Sequence, residues 1–297
     1  MDGTRSNAAT APINAALVAS RVAAALAEDA AGQDATTAFL AVGDVPARAE
    51  IRVTGSTVAC GVFVAREVFH QVDARIRFEA RVHDGARLES GACACALDGP
   101  ARSLLSGERT ALNFLQRMCG VAAHASRFVD AVRGTGAVIL DTRKTTPLWR
   151  DFEKYAVRCG GARNHRHDLG AMILVKDNHV RAIGGRSALI ARIAASPRAP
   201  FVEVEVDSIE FLRDLLASPA AGNVDRVMLD NFTPERVAEA LTDVAAYRAR
   251  GARLEIEVSG GVTLDTVRAF AQPGVDYISV GALTHSAVAA PMSLEFL

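Results

Sequence analysis

The 297-residue sequence predicts an α/β protein in two parts, an N-terminal α+β sandwich followed by an α/β barrel. Three observations predict it. Short alternating segments crowd residues 49–98. Apolar runs and helical patterns then take turns from about 137 to the end. Within that second part, FVEVEV and LEIEVS interleave apolar residues with Glu203, Glu205, Glu255 and Glu257.

Residues 1–14 are polar and irregular and are expected to form a disordered extension. Residues 15–27 read as an alanine-rich helix. Strands are expected at 50–54, 57–65, 75–82 and 92–97, with turns at Asp84-Gly85 and Asp98-Gly99-Pro100. A long helix follows over 106–132. Ser106 is its expected cap, Glu108 suits the positive helix start, and Leu112, Leu115 and Met118 supply an apolar stripe.

Six apolar runs come next, at 137–140, 171–175, 201–206, 226–229, 254–258 and 275–280. Helical patterns at 187–195, 209–217, 234–249 and 264–270 separate most of them. Pro234 suits a first helical turn behind a Thr233 cap. This alternation implies a parallel sheet, whose ligands gather at the carboxyl ends of the strands in a barrel and in an open doubly wound sheet alike. The glutamate alternation favours the barrel. A parallel strand buried on both faces reads as apolar throughout, whereas a strand with helices on one side and a ligand-bearing lumen on the other alternates. An exposed edge strand is the competing explanation.

With 50% hydrophobic residues the chain can bury a large core in one large or two ordinary domains. A net charge of −1 argues against a general partner among nucleic acids or membrane surfaces. The charge is uneven. Residues 141–181 hold nine Lys/Arg against five Asp/Glu, a net +4, so the rest carries −5. Of 33 cationic residues only Lys144, Lys154 and Lys176 are lysine, and all lie in that stretch. Lysine is a compact point charge on a flexible stem, arginine a rigid fork. A cationic patch in a near-neutral chain fits a small polyanion. Lys154, in an ordinary helical pattern, reads as a surface residue. The five cysteines, Cys60, Cys93, Cys95, Cys119 and Cys159, form no CxxC pair and read as buried small side chains in a reducing compartment. No apolar run reaches membrane-spanning length and no signal-peptide pattern opens the chain, so cytoplasm is the expected location.

Four clusters carry chemistry. Arg143-Lys144 follows an apolar run, and a fork beside a point charge can hold a carboxylate and a phosphate. Gly160-Gly161-Ala-Arg-Asn164-His165-Arg166 combines glycines that admit close backbone approach with directed donors. Lys176 heads Lys-Asp177-Asn178-His179, whose last three residues read as a structural turn. Ser259-Gly260-Gly261 and Ser279-Val-Gly281 follow the last two strands, where barrels cradle phosphate on backbone N–H groups at a helix start. Glu205 and Asp230, ending two other strands, can bind ribose hydroxyls, bind Mg²⁺ directly or through water, or neutralise Lys144 and Lys176 across the lumen.

These clusters closely resemble the quinolinate phosphoribosyltransferase (nicotinate-nucleotide pyrophosphorylase) family. The resembling segments are SGERTALNFLQRMCGVA, DTRKTTP, EKYAVRCGGARNHRHDLG, LVKDNHV, VEVEVDS, VMLDNF, EVSGGV and SVGALTHS, in family order from Ser106 to Ser286. The earlier EDAAGQDATT also fits. The resemblance implies an N-terminal α+β open sandwich, an incomplete (β/α) barrel, and Mg²⁺-dependent condensation of quinolinate with 5-phosphoribosyl pyrophosphate (PRPP). The products are nicotinate mononucleotide, pyrophosphate and CO₂, a step of NAD biosynthesis. It also implies a homodimer, open to further assembly, whose sites take Arg109 from the partner subunit. By motif position Arg143, His165 and Arg166 hold carboxylates, and Lys144 and Lys176 lie near carboxylates and phosphates. Glu205 and Asp230 face ribose and Mg²⁺. Ser259, Gly260, Gly261, Gly281 and His285 surround the phosphate.

On this reading residues 15–112 form the N-terminal domain, 113–285 the barrel, and 286–297 a tail returning to the N-terminal domain. The chain departs from the family pattern at Leu148-Trp149, where a Gly precedes an aliphatic or aromatic residue, at Cys119 for Ser, and at Gln33 for Gly. The alternatives are a nicotinate-specific phosphoribosyltransferase, which needs fewer carboxylate forks and releases no CO₂, and a non-catalytic anion-binding barrel.

Overall fold

The computed structural model describes residues 12–297. Along the chain run α1 (Ala15–Glu28), α2 (Ala35–Phe39), β1 (Pro46–Val53), β2 (Thr57–Val58), α3 (Val62–Val72), β3 (Arg77–Ala80), β4 (Arg87–Leu88), β5 (Cys93–Pro100) and α4 (Ala101–Ala131). Then come β6 (Val138–Leu140), α5 (Arg150–Cys159), β7 (Ile173–Val175), α6 (Asp177–Ala182), α7 (Arg186–Ala195), β8 (Val202–Val206) and α8 (Ile209–Ala217). The chain ends with β9 (Arg226–Asp230), α9 (Pro234–Arg248), β10 (Glu255–Ser259), α10 (Val267–Phe270), β11 (Tyr277–Ser279), α11 (Ala282–His285) and β12 (Met292–Phe296). Among the described residues no helix is long and apolar enough to cross a membrane.

The chain divides into two units. The first runs to Ser126 and adds Thr145–Gly161 and Leu283–Leu297; the second is Arg127–Lys144 with Ala162–Ala282. Most of the extension expected over 1–14 lies outside the described residues. Asn14 itself caps α1, accepting the N–H groups of Ala16 and Leu17 at 2.9 and 3.3 Å.

The first unit is built on an antiparallel sheet in the order β12-β1-β5-β3. The last strand of the chain closes it, with Leu294 opposite Ile51. Inward residues such as Ile51, Val64, Phe69, Leu112 and Leu115 are at most 2% exposed, and each contributes about 1.5–3 kcal/mol of burial.

Three local expectations fail in this unit. The run 57–65 is strand only at Thr57–Val58; Gly61 turns left-handed (φ 87°) and α3 begins at once, because an apolar run flanked by glycine fits a buried helix as well as a strand. Asp98-Gly99-Pro100 ends β5 instead of turning, so α4 starts at Ala101 and Ser106 lies inside it. Lys154 is not a surface residue but 2% exposed, since α5 is buried along most of its length. Its neighbour Glu153, 1% exposed, binds Arg117 at 2.5 Å and takes the N–H and hydroxyl of Thr146, both at 2.9 Å. Those bonds pin the loop after Lys144.

The second unit is an all-parallel six-stranded sheet in the order β6-β11-β10-β9-β8-β7. Consecutive strands β6 and β7 are its two edges, so the sheet is an incomplete barrel. A short bridge between Leu140 and Arg163 extends the β6 edge. The glutamate-bearing strands are interior, with β8 between β7 and β9 and β10 between β9 and β11, which removes the edge-strand explanation. Val204, Val206, Ile256 and Val258 are fully buried on one face, and Glu203 and Glu257 are fully buried on the other.

Candidate active site

The polar face of the second unit holds a cavity of about 530 Å³. Ten residues singled out in the sequence line it: Arg143, Lys144, His165, Arg166, Lys176, Glu205, Asp230, Ser259, Gly260 and Gly261. His165 and Arg166 follow the short bridge at Arg163, and the others follow or end strands of the parallel sheet, as ligand sites at strand carboxyl ends require. Gly281 precedes α11 and is not among the lining residues, whereas Ser279 at the end of β11 is. Arg109, on α4, and His285, on α11, belong to the first unit.

The cations are placed by local structure. Arg143 and Lys144 leave β6 in a turn where Lys144 N–H donates to Thr142 Oγ1 at 3.0 Å. Lys176 stands between β7 and α6. Its N–H donates to His179 Nδ1 at 2.9 Å, which gives His179 the structural role expected. Lys176 Nζ reaches Glu205 Oε2 at 2.6 Å. Arg166 is held below the ordinary guanidinium range by burial and by the neighbouring Arg143 charge. Two guanidiniums that repel one another in a partly dry cavity form a receptor for an anion.

Glu205 and Asp230 form the acidic side. Burial, then the Glu205 charge, raises the Asp230 carboxyl above its ordinary range, while Lys176 and Lys144 oppose the rise. Asn231 Nδ2 donates to Asp230 Oδ2 at 2.7 Å. Two hard carboxylate side chains converging on one cavity suit a small divalent cation, so the donor set fits Mg²⁺.

The glycine turn after β10 differs from expectation. Gly260 and Gly261 take φ of 95° and 62°, and no helix begins until Val267. Glycine is required at 260 because a Cβ there would lie 2.3 Å from Asn231 Oδ1. The strand ends of β9 and β10 can thus come together only over a bare backbone.

A buried polar floor lies beneath these groups. Asp141, fully buried, accepts the N–H of His165 at 2.8 Å and Asn164 Nδ2 at 2.7 Å. His165 Nδ1 accepts the N–H of Arg166 at 2.7 Å, which assigns the ring proton to Nε2. Nε2 faces Glu203 at 3.1 Å and Glu257 at 3.5 Å. Arg226 Nη1 reaches Glu257 at 3.0 Å, and its Nη2 reaches Glu255 at 2.7 Å. Burial raises Glu203 and Glu257 to about 7, partly offset by Arg226. The sequence does not single out Asp141, Glu203, Glu257 and Arg226 as site residues. The alternation of Glu203 and Glu257 with valine and isoleucine was the available signal, but nothing local tells a buried support from a ligand.

Residues 34–119 match the family model for the quinolinate phosphoribosyl transferase N-terminal domain, and residues 121–295 that for its C-terminal domain. The chain is 46% identical over 237 residues to the nicotinate-nucleotide pyrophosphorylase [carboxylating] of Mycobacterium leprae, covering 79% of this chain and 78% of that protein. It is 38% identical over 263 residues to the human protein of the same name, covering 87% and 85%. A solved nicotinate-nucleotide pyrophosphorylase from Francisella tularensis superposes with a TM-score of 0.86 at 35% identity, over 96% of this chain and 98% of that one. The chain belongs to the quinolinate phosphoribosyl transferase family.

Proposed function

We propose that this cavity transfers the 5-phosphoribosyl group of PRPP to quinolinate with decarboxylation, giving nicotinate mononucleotide, pyrophosphate and CO₂. The observation that carries the reading is the meeting of Arg143, Lys144, Arg166 and Lys176 with Glu205 and Asp230 around one cavity of about 530 Å³. Both substrates are polyanions, and four cations collect them.

Arg143 and Arg166 present planar forks to the two ring carboxylates, and Lys176 adds a point charge. The floor through Asp141 and Glu203 holds His165, and so the adjoining Arg166, in register with them. Lys144 and the backbone of Gly260 and Gly261 face the phosphates. As the C1–pyrophosphate bond breaks, the ribosyl carbon becomes electron-poor and the pyridine nitrogen attacks it. Fixed cations stabilise the departing pyrophosphate, and enclosure aligns the reactants. The quaternised ring then takes up the electron pair left by CO₂. Glu205 and Asp230 would hold Mg²⁺, which would offset phosphate charge. No side chain needs to form a covalent intermediate.

We further propose a homodimer in which Arg109 of one chain completes the site of the other, supported by the family resemblance of Gly107-Glu108-Arg109. Incubating the protein with Mg²⁺, PRPP and quinolinate tests the main reading: CO₂ and nicotinate mononucleotide should form in equal amounts. Faster nucleotide formation from nicotinate, without CO₂, would sink it in favour of the nicotinate-specific enzyme.

A further inference from the structure

The first unit brings sulfur and oxygen donors together at a place the reaction does not use. Cys60 follows β2, Asp84 sits in the turn before β4, and Cys159 ends α5. One ligand atom from each lies within 4.8 Å of the other two. Cys60 is fully buried and Cys159 is 9% exposed, while Asp84 is partly open. Asp84 is itself fixed by outer partners. Gly61 N–H and the Tyr155 hydroxyl donate to its Oδ2 at 3.0 and 2.7 Å, and Val62 N–H donates to Oδ1 at 3.4 Å. Cys60 is likewise held through its backbone: its N–H meets Cys119 Sγ at 3.2 Å, and its carbonyl accepts the Cys119 thiol at 3.4 Å. Ligands that are themselves oriented by a further layer of hydrogen bonds are characteristic of protein metal centres.

We propose that Cys60, Asp84 and Cys159 bind a divalent cation of the zinc type, with water from the Asp84 side as fourth ligand. The donor chemistry selects the ion. Thiolates disfavour Mg²⁺ and Ca²⁺, and a set of two sulfurs and one carboxylate oxygen suits borderline Zn²⁺. The spacing also fits. Tetrahedral Zn–S and Zn–O bonds of about 2.3 and 2.1 Å put donor atoms roughly 3.5–3.8 Å apart. Binding releases the two thiol protons to solvent and leaves two thiolates on the ion.

The consequence is a staple. Its three ligands are 24 and 75 residues apart in the chain and come from three separate segments. Cys159 is also followed, five residues on, by Asn164-His165-Arg166, so the ion anchors the start of the segment that carries two cavity residues. Binding to the folded form alone stabilises it by mass action.

The test uses the full chain, reduced, stripped with chelator and titrated with Co²⁺ and then Zn²⁺. One Co²⁺ per chain should bind with a sulfur-to-cobalt charge-transfer band, Zn²⁺ should displace it, and Zn²⁺ should raise the melting temperature. Cys60→Ala and Cys159→Ala should each abolish the band and weaken binding by roughly 100-fold or more, while Tyr155→Phe should weaken it roughly 10-fold. Cys93→Ala, on β5, should leave it unchanged. Circular dichroism of the metal-free variants checks folding, and Tyr155→Phe carries the test if a cysteine variant does not fold. A reduced wild type with no thiolate band, a band that survives Cys159→Ala, or Tyr155→Phe binding as tightly as wild type overturns the proposal.

Discussion

Replacing Arg226 with methionine should destabilise the protein more at pH 8 than at pH 6. Arg226 opens β9 and reaches Glu257 at 3.0 Å and Glu255 at 2.7 Å, and its guanidinium lies 4.0 Å from the Tyr277 ring centroid. Methionine keeps most of the stem and removes the charge. Glu257 is fully buried and sits at about 7 with Arg226 in place. Without that cation its folded value must rise further. A folded value above the unfolded one contributes stability that is complete below the unfolded value and lost as pH rises through the folded one. In the wild type this loss ends near pH 7, whereas in Arg226→Met it continues through pH 8. For Glu257 the extra penalty at pH 8 is up to one pH unit of proton binding, about 1.4 kcal/mol, and Glu203, which Arg226 also offsets, adds in the same direction. At pH 6 both proteins keep the Glu257 proton and this part vanishes. A pH-independent loss of about 1–2 kcal/mol remains, from the Tyr277 contact and the Glu255 pair. Urea unfolding of both proteins at the two pH values measures the difference. Equal destabilisation at pH 6 and pH 8, or more at pH 6, refutes the account of a proton-holding floor.

Three further outcomes are expected. Arg166→Ala should lower turnover by roughly 10²–10³, the scale for losing one preorganised charge, with unfolding unaffected; near-wild-type steady-state rates would count against the carboxylate role. Leu148 takes a left-handed φ of 65° and is 69% exposed, so Leu148→Gly should relieve about 1–2 kcal/mol of strain. Glycine gives back about 0.5–1 kcal/mol in unfolded-chain entropy, leaving a small rise in melting temperature that a fall would contradict. Gly260→Ala would place a Cβ 2.3 Å from Asn231 Oδ1 at φ 95°, and should cost about 2–4 kcal/mol together with most of the turnover. A thermal melt and a rate indistinguishable from wild type would show that the strand ends have more room than the geometry allows.

Elements whose pattern is local were legible in the chain. The helical pattern at 209–217 matches α8 to the residue, because its apolar period is clear, and the structure adds Ser208 as its cap. The βα rhythm after residue 137 implied the parallel sheet, and lysines confined to 144–176 pointed to the cavity that Lys144 and Lys176 do line. Where an apolar run suited two environments the reading failed, as at 57–65, where Gly61 admits a helix. Lys154 reads as exposed because helical periodicity does not say how many sides of α5 are covered.

The Leu148 backbone shows the same limit from the other direction. The departure from glycine was visible, but its left-handed conformation was not. The polar floor is the furthest from local pattern. Asp141, His165, Glu203, Arg226 and Glu257 stand on separate segments, and only closure of the sheet makes them neighbours. Spacing along a chain reports which face a side chain takes. Which distant charges then share a dry interior, and so which carboxyls keep their protons, depends on how the strands are brought side by side.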